Sequence, residues 1–299
     1  MVARSIENLK AIQSRANKPE NCVVIGCDLS DEQSTMKCIQ EILNLKLTIH
    51  LLVNNAGTAQ VAKASLQTCD LESWNWHHNL LLKSPYLLTK HLFPLFSRRN
   101  IEKSKTQQTS TNGTDTGDYT SIVNIGSIHG IQALPSMMAY SVNKAGLAHL
   151  TRLNAVALGK YGIRVNCIQL IHCIKIFYLR RGKEQKKKTY TQICGIKEKD
   201  LVGMNSIIAD KYYPIGRLGT VDDIIEYIMF LSDSKKSGWI TGSKPMTLVF
   251  IEKIALFIQI ANVNFLTCFA AFTHFLVFTV QREPKLLQKQ NFFISCQKL

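Results

Sequence analysis

The sequence predicts an α/β fold in which parallel strands alternate with helices. Short apolar runs of strand length recur at Val23–Ser30, Ile49–Gly57, Ser121–Ser127 and Gly162–Ile168. Stretches with the apolar spacing of helices separate these runs, which is the alternation expected of βα units. Polar or small residues end the runs, at the edge where a parallel α/β sheet holds its ligands.

Length and charge favour one large domain and argue against a nucleic-acid partner. The chain has 299 residues, 46% of them hydrophobic, and a net charge of +15. Two segments carry most of that charge. Residues 172–200 hold nine Lys/Arg against three Asp/Glu, and residues 244–299 hold six against two. Because the basic residues lie outside the regular α/β pattern, the charge does not predict nucleic-acid binding.

The cysteine and histidine patterns predict a cytoplasmic protein without a metal site. Nine cysteines, an odd number with no CxxC pair, fit reduced thiols better than a disulfide framework. The eight histidines show no ligand spacing, and the adjacent His77 and His78 would diverge on a helix. The first ten residues lack the apolar stretch of a signal peptide.

The segment Ser127–Lys144, SIHGIQALPSMMAYSVNK, carries the strongest functional signal. Tyr140 and Lys144 are four residues apart and would share one face of a helix. Ser127 ends an apolar strand and could approach the phenol across the intervening loop. A hydroxyl, a phenol and an ammonium converging on one point suit carbonyl reduction, which needs a polarising group and a proton donor.

Taken together, the motifs resemble the short-chain dehydrogenase/reductase family. The matching motifs are NNAG at Asn54–Gly57, the Ser–Tyr–Lys spacing, IRVN at Ile163–Asn166 and PIGRLGTVDDI from Pro214. They occur in the family's order over roughly residues 1–243, with gaps, and the combination is far more specific than any one motif. The resemblance implies a Rossmann-like, doubly wound parallel sheet and a nicotinamide cofactor.

The resemblance also implies catalytic roles for four residues. Tyr140 would be the proton donor, Lys144 would lower the pKa of its phenol, and Ser127 would hydrogen-bond the substrate carbonyl. Asn79 matches the family asparagine that holds a water in the proton relay to Lys144. The alternatives are a surface Tyr and Lys on an amphipathic helix, a serine at a strand end, and an asparagine bonded to its own helix.

Cofactor contacts are implied for residues at the ends of three strands. Asp28 and Leu29 match the pair that contacts adenine, although Asp28 could instead cap the helix that begins at Glu32. Arg4 follows a non-acidic residue, which favours the 2′-phosphate of NADP over the 2′-hydroxyl of NAD. Small residues near the cofactor ribose, and two catalytic residues, complete the implied set: Asn55, Ala56, Gly57, Tyr140 and Lys144.

The chain departs from the family pattern at three places. No strand and Gly-rich turn precede Val2, Leu170-Ile171 replaces Pro-Gly, and an unrelated tail follows Ser243. We therefore predict a truncated reductase domain over residues 1–243, with a polar insertion at 103–118, a divergent basic insertion at 170–200 and a divergent apolar tail at 244–299. The absent first strand should leave its two neighbours with unpaired edges, and NADPH binding should be impaired.

The tail offers an alternative that places the chain at a membrane. Residues 254–280 contain no charged side chain and are long enough for one span. Four polar residues in the segment are costly in lipid, which disfavours this interpretation: Gln259, Asn262, Asn264 and His274.

The favoured function is NADPH-dependent reduction of a small carbonyl substrate. The resemblance is greatest to L-xylulose and dicarbonyl reductases, whose intact members imply a homo-oligomer. Two alternatives stay open: a reductase similar to those acting on 3-oxoacyl-carrier-protein substrates, and a truncated product without catalysis.

Overall fold

The computed structural model describes residues 1–58, 63–98, 119–170 and 220–245, together with the backbone of three short strands outside those ranges. The strands are β1 (Val2–Ala3), β2 (Ile25–Gly26), β3 (Ile49–Asn54), β4 (Ser121–Ile125), β5 (Arg164–Ile168), β6 (Phe177–Tyr178), β7 (Lys187–Lys188) and β8 (Leu276–Val280). The helices are α1 (Ile6–Gln13), α2 (Glu32–Asn44), α3 (Leu71–His78), α4 (Ser84–His91), α5 (Met138–Gly159), α6 (Val221–Ser232) and α7 (Ser234–Ser237).

Six strands form the main sheet, in the order β2-β1-β8-β3-β4-β5. The pairs β1–β2, β3–β4 and β4–β5 are parallel, with Leu51 opposite Ser121 and Ser121 opposite Arg164. Helices connect these strands, as parallel pairing requires. The predicted doubly wound α/β fold is confirmed. Strands β6 and β7 pair with each other in a separate antiparallel ribbon.

Strand β8 occupies the position between β1 and β3. It runs antiparallel to both neighbours, with Leu276 opposite Val2 on one side and β8 paired along the length of β3 on the other. The expectation that these two neighbours would present unpaired edges is therefore wrong. A segment of the tail supplies their backbone partners, because a buried strand with open N–H and C=O groups would be strongly unfavourable.

Apolar side chains alternate between the two faces of the sheet, and each face has its own core. In β3, Leu52 shares a core cluster with residues of α2, α4 and α5, whereas Leu51 and Val53 cluster with residues of α6 on the opposite face. The strand interior is buried on both faces. This two-sided burial is typical of parallel sheets and explains why β3, β4 and β5 are almost continuously apolar in sequence.

Five of the described helices begin at polar capping residues, the exceptions being α4 and α5. Ser5 caps α1, and Thr220 with Asp223 forms a capping box at α6. Helix α2 is capped by Asp31, whose carboxylate accepts the Ser34 N–H at 2.6 Å. The alternative that Asp28 caps this helix is therefore wrong: Asp28 lies three residues too early to reach the first free N–H groups.

A π turn joins α3 and α4 into one helical run from Leu71 to His91. Residues Asn79–Lys83 form the wider turn, and the Ser84 N–H bonds the Asn79 carbonyl, five residues back. Pro85 follows directly and has no N–H to donate, so the regular hydrogen-bond ladder is interrupted here. Such π turns are frequent at functional sites.

Several predicted segments lie outside the described residues. These are the polar insertion at 103–118, nearly all of the basic insertion at 170–200, and the apolar segment 254–280 apart from β8. The domain boundaries accordingly stay predictions. Within the described ranges, no helix has both the length and the apolarity needed to cross a membrane.

Candidate active site

Ser127 lies one residue beyond Gly126 at the end of β4 and is fully buried. Its backbone is extended, and its hydroxyl oxygen accepts the His129 N–H at 3.3 Å, which starts a short 3₁₀ turn. Its own N–H donates to the side-chain Oε1 of Gln169 at 2.9 Å. With the oxygen accepting from His129, the hydroxyl proton is available to a second group.

That second group is Tyr140, in the first turn of α5. Its side chain is buried and hydrogen-bonded to the side chain of Ser127. Burial raises the pKa of Tyr140 to about 12, and the bond to Ser127 opposes this rise. The pKa therefore moves opposite to the lowering predicted from Lys144, because loss of solvent disfavours the phenolate more than neighbouring groups favour it. At neutral pH the phenol keeps its proton.

Lys144 follows one turn later on the same face of α5. Its ammonium donates to the Ile125 carbonyl at 2.6 Å and lies 5.8 Å from the centroid of the Tyr140 ring. The Nζ atom also lies against Gly57: a Cβ at that position would be 3.3 Å from Nζ and 3.0 Å from Leu81. A larger residue at position 57 would therefore crowd the lysine.

Burial lowers the pKa of Lys144 to about 8, from an ordinary value of 10.5. Between these two values the unfolded chain holds a proton that the folded chain has released. Lys144 therefore makes the folded state gain stability as pH rises from about 8 to about 10.5, and burying its charge costs stability below pH 8.

Replacing Lys144 by methionine should stabilise the folded chain at pH 7 by about 1 kcal/mol, since removing a buried charge outweighs the loss of its hydrogen bond to the Ile125 carbonyl. The difference should shrink as pH rises from 8 to 10. Urea unfolding at pH 7, 8, 9 and 10 measures it, with Lys160→Met, at the exposed lysine that directly follows the same helix, as the matched control. A variant less stable than the parent at pH 7 would contradict this account.

Asn79 lies in the π turn, and its side chain is directed to the loop after β2. Its side-chain amide donates to the Ser30 backbone carbonyl at 3.1 Å, and its backbone carbonyl accepts the Ser84 N–H. The Asp28 carboxylate accepts from both the N–H and the hydroxyl of Ser30, at 2.9 and 2.6 Å. Ser30 thus links Asn79 to Asp28, so both predicted site residues hydrogen-bond to the same residue of the loop after β2.

The remaining predicted cofactor residues lie along the carboxyl ends of neighbouring strands. Arg4 is exposed directly after β1, and the Cys27 N–H bonds the Ala3 carbonyl beside it. Leu29 is buried in the core, which leaves its backbone rather than its side chain to face a ligand. Asn55, Ala56 and Gly57 follow β3. The structure therefore places these residues on one edge of the sheet.

Sequence reasoning missed a buried polar chain that fixes α5 to the sheet. Asn54 donates to Asn124 at 2.7 Å, and Asn124 donates to Thr151 at 2.9 Å. Both asparagines interrupt otherwise apolar strands, which was the available signal. Because α5 carries Tyr140 and Lys144, this chain of hydrogen bonds contributes to their placement. The hydrogen bond from the Ser127 N–H to the Gln169 side chain was likewise not predicted from sequence.

Comparisons with known proteins show which family the chain belongs to. A family model described as enoyl-(acyl carrier protein) reductase matches residues 2–173, more than half of the chain. The chain belongs to the short-chain dehydrogenase/reductase family. An uncharacterised oxidoreductase of Schizosaccharomyces pombe is 30% identical over 221 residues, covering 74% of this chain and 71% of the relative.

Two further proteins illustrate the range of similarity. A 3-oxoacyl-[acyl-carrier-protein] reductase of rhamnolipid biosynthesis in Pseudomonas aeruginosa is 29% identical over 167 residues, covering 56% of this chain and 59% of that protein. The L-sorbose reductase of Gluconobacter frateurii, solved with NADPH and L-sorbose, superposes with a TM-score of 0.61 at 21% identity, covering 82% and 83% of the two chains. At that identity the superposition shows a common fold. The family model and the Schizosaccharomyces pombe relative together show that the chain is an oxidoreductase of this family.

Proposed function

We propose that the active site of this family member reduces a small ketone or aldehyde with NADPH. The observation that carries the proposal is the buried hydrogen bond between Ser127 and Tyr140, with Lys144 one helical turn away. A serine and a tyrosine whose hydroxyls meet in a desolvated site can hold one carbonyl oxygen between them. Their burial makes each interaction stronger than it would be in water.

Each residue has a distinct task in this reaction. The Ser127 hydroxyl donates to the substrate oxygen as negative charge develops on it. Tyr140 gives its proton to that oxygen, and the raised pKa keeps the proton in place until then. The Lys144 ammonium stabilises the tyrosinate that remains. Asn79 would hold a water that returns a proton toward Lys144, as its family counterpart does.

NADPH would supply the hydride. Lys144 and Tyr140 would contact its nicotinamide side, and the backbone of Asn55–Gly57 would lie along a ribose. The close approach of Nζ to Gly57 supports this fit, since no side chain there separates the lysine from an approaching ligand. Asp28 and Leu29 would contact adenine, and Arg4 would pair with the 2′-phosphate, which favours NADP.

We also propose that the 299-residue chain binds NADPH weakly. In this family a pyrophosphate is held by a Gly-rich turn between the first strand and the amino end of its helix. Strand β8 lies in that strand's position but runs in the opposite direction. No such turn occurs in the part of the chain that the structure describes, so the described residues offer none of its backbone donors to a pyrophosphate. A non-catalytic role is the second candidate, and the direction of β8 is the observation that favours it.

The two candidate enzymatic functions differ in the class of substrate that is reduced. We favour a sugar-like or dicarbonyl substrate, as for L-xylulose and dicarbonyl reductases. The similarity to a Pseudomonas reductase of 3-oxoacyl-carrier-protein substrates supports the alternative. A substrate panel separates them: short α-dicarbonyls and L-xylulose in one arm, and a 3-oxoacyl thioester in the other.

The test uses a restored chain, defined as this chain with family segments supplied ahead of Met1, after Gln169 and after Ser243. We expect it to bind NADPH in preference to NADH and to reduce a dicarbonyl, followed by loss of NADPH absorbance. The unmodified 299-residue chain should show no saturable NADPH binding. Preference for NADH would contradict the role of Arg4, and a tight NADPH complex of the unmodified chain would contradict weak binding.

We further propose that the protein forms a homo-oligomer through the outer face of α5. Val142, Leu153 and Val156 are exposed on this face, and Val156 is 85% exposed. Tyr86 of α4 borders the same surface and helps line a groove between α4 and α5. Apolar side chains aligned along one helix face favour self-association.

Sedimentation velocity tests the oligomer. We expect the chain to sediment as a dimer or larger, and Val156→Asp to shift it to the monomer because a charge would be desolvated at the contact. Leu66→Asp, at an exposed apolar residue on a loop, is the matched control and should leave the oligomer intact. A parent chain that sediments as a monomer would contradict the proposal.

The free thiols support a reducing compartment for the protein. Among the described residues, five cysteines are free thiols that form no disulfide: Cys22, Cys27, Cys38, Cys69 and Cys167. Reduced cysteines of this kind are typical of the cytoplasm, which we propose as the location.

A further inference from the structure

We propose that Gln169 is a positioning residue that fixes Ser127 beside Tyr140. The proposal rests on the proposed function, since it assigns Gln169 to the same site. Gln169 does not contact the reacting atoms in this account. It acts through the backbone of Ser127, and therefore through the direction of the Ser127 hydroxyl.

The hydrogen bonds beyond β4 leave one backbone donor for a side chain. The Gly126 N–H bonds the Ile168 carbonyl at 2.8 Å, and the Ile128 N–H bonds the Leu170 carbonyl at 2.9 Å. Both bonds continue the parallel pairing with β5. The intervening N–H of Ser127 is outside this ladder, because alternate residues of a strand direct their N–H groups to opposite sides. It donates instead to Gln169 Oε1 at 2.9 Å.

Gln169 is itself held rigidly. It is 1% exposed, its N–H donates to the Pro245 carbonyl at 3.0 Å, and its Nε2 donates to Cys167 Sγ at 3.4 Å. A buried amide with both ends engaged has little freedom to rotate. Ser127 is therefore tied to a fixed point on the neighbouring segment.

Gly126 makes room for this contact. A Cβ at that position would lie 2.6 Å from Gln169 Oε1 and 2.7 Å from Cys167 Sγ, closer than these atoms can approach. The absence of a side chain at 126 lets the Gln169 amide reach the Ser127 N–H. Gly126 and Gln169, which are distant in sequence, together fix the position of the Ser127 N–H.

The consequence for the site follows from the bonds of the Ser127 hydroxyl. The hydroxyl accepts from the His129 N–H and is hydrogen-bonded to Tyr140. If the Ser127 backbone loses its partner at Gln169, the hydroxyl moves relative to Tyr140. Displacements of a fraction of an ångström are enough to weaken catalysis severely.

The test is NMR of the 299-residue chain labelled with ¹³Cζ-tyrosine, at neutral pH. The Cζ shift of Tyr140 reports the hydrogen bond of its hydroxyl and is assigned with Tyr140→Phe. Ser127→Ala gives the Cζ shift of Tyr140 when its hydrogen bond to Ser127 is lost. Gln169→Met removes the acceptor at nearly constant volume, whereas Gln169→Glu keeps an oxygen in its place. Circular dichroism selects folded variants.

We expect Gln169→Met to move the Tyr140 signal toward that of Ser127→Ala, and to speed amide exchange of Ser127 by about tenfold or more. Gln169→Glu should keep the parent signal. Gly126→Ala, which displaces the amide by another route, should reproduce the Gln169→Met shift and serves if that variant does not fold.

A Tyr140 signal unchanged in Gln169→Met, or shifted equally in Gln169→Glu, would overturn the proposal. So would an unchanged signal in Ser127→Ala. None of these measurements involves turnover or NADPH. A failure of the proposed reduction would therefore leave the NMR result standing, and the two failures can be told apart.

Discussion

Replacing Phe278 by proline should abolish the cooperative unfolding of this chain. Strand β8 is the only described link in the sheet between the β1–β2 pair and β3–β4–β5. Proline has no N–H and is excluded from central strands, so the pairing of β8 with β3 would be broken at the position opposite Leu52.

The magnitude follows from the backbone groups that would lose partners. Each buried N–H or C=O left unpaired costs about 1–3 kcal/mol. If about three backbone groups lost their partners, the cost would be about 3–9 kcal/mol. That is comparable to the whole stability of a domain, about 5–15 kcal/mol. The exposed edges of β1 and β3 would also favour aggregation.

Thermal and urea unfolding by circular dichroism, with size-exclusion chromatography, measures the effect. Phe278→Val is the matched control, because valine keeps the N–H and suits a strand. Deleting residues 281–299 spares β8 and should also leave the transition intact. A Phe278→Pro variant as stable as Phe278→Val would show that β8 does not hold the sheet together.

Tyr140→Phe should reduce turnover of the restored chain by about 10²–10⁴-fold, the range for loss of a general acid. NADPH affinity should change little, since the ring that packs in the core is kept. The loss should therefore appear in kcat more than in KM. Tyr86→Phe, at a half-exposed tyrosine in the groove between α4 and α5, is the control and should keep full activity. Equal activity of Tyr140→Phe and the parent would exclude Tyr140 as the proton donor.

The parts that could be predicted from sequence are those determined by local patterns. Strands β3, β4 and β5 are strongly apolar and bounded by turns, and the spacing of Tyr140 and Lys144 needs only one helix to bring them together. The meeting of Ser127 with Tyr140 depended on the family resemblance, because a loop of undetermined path separates them.

Long-range features were not predictable from the same patterns. Strand β8 joins the sheet from more than 200 residues beyond β3, and an apolar run gives neither its partner nor its direction. The exchange of Asp28 for Asp31 as a helix cap is a shift of three residues between two acidic candidates. The contact of Gln169 with Ser127 depends on the space left by Gly126, which no periodicity reveals.

Transfer of deuterium from NADPH to product tests the central claim most directly. The restored chain would be given NADPH deuterated at the transferring C4 position, together with a dicarbonyl, and the alcohol product would be analysed by mass spectrometry. We predict one deuterium in the alcohol with the parent residue at 140, and no product above background with Tyr140→Phe. A restored chain that binds NADPH but yields no deuterated alcohol from any carbonyl in the panel would contradict the account.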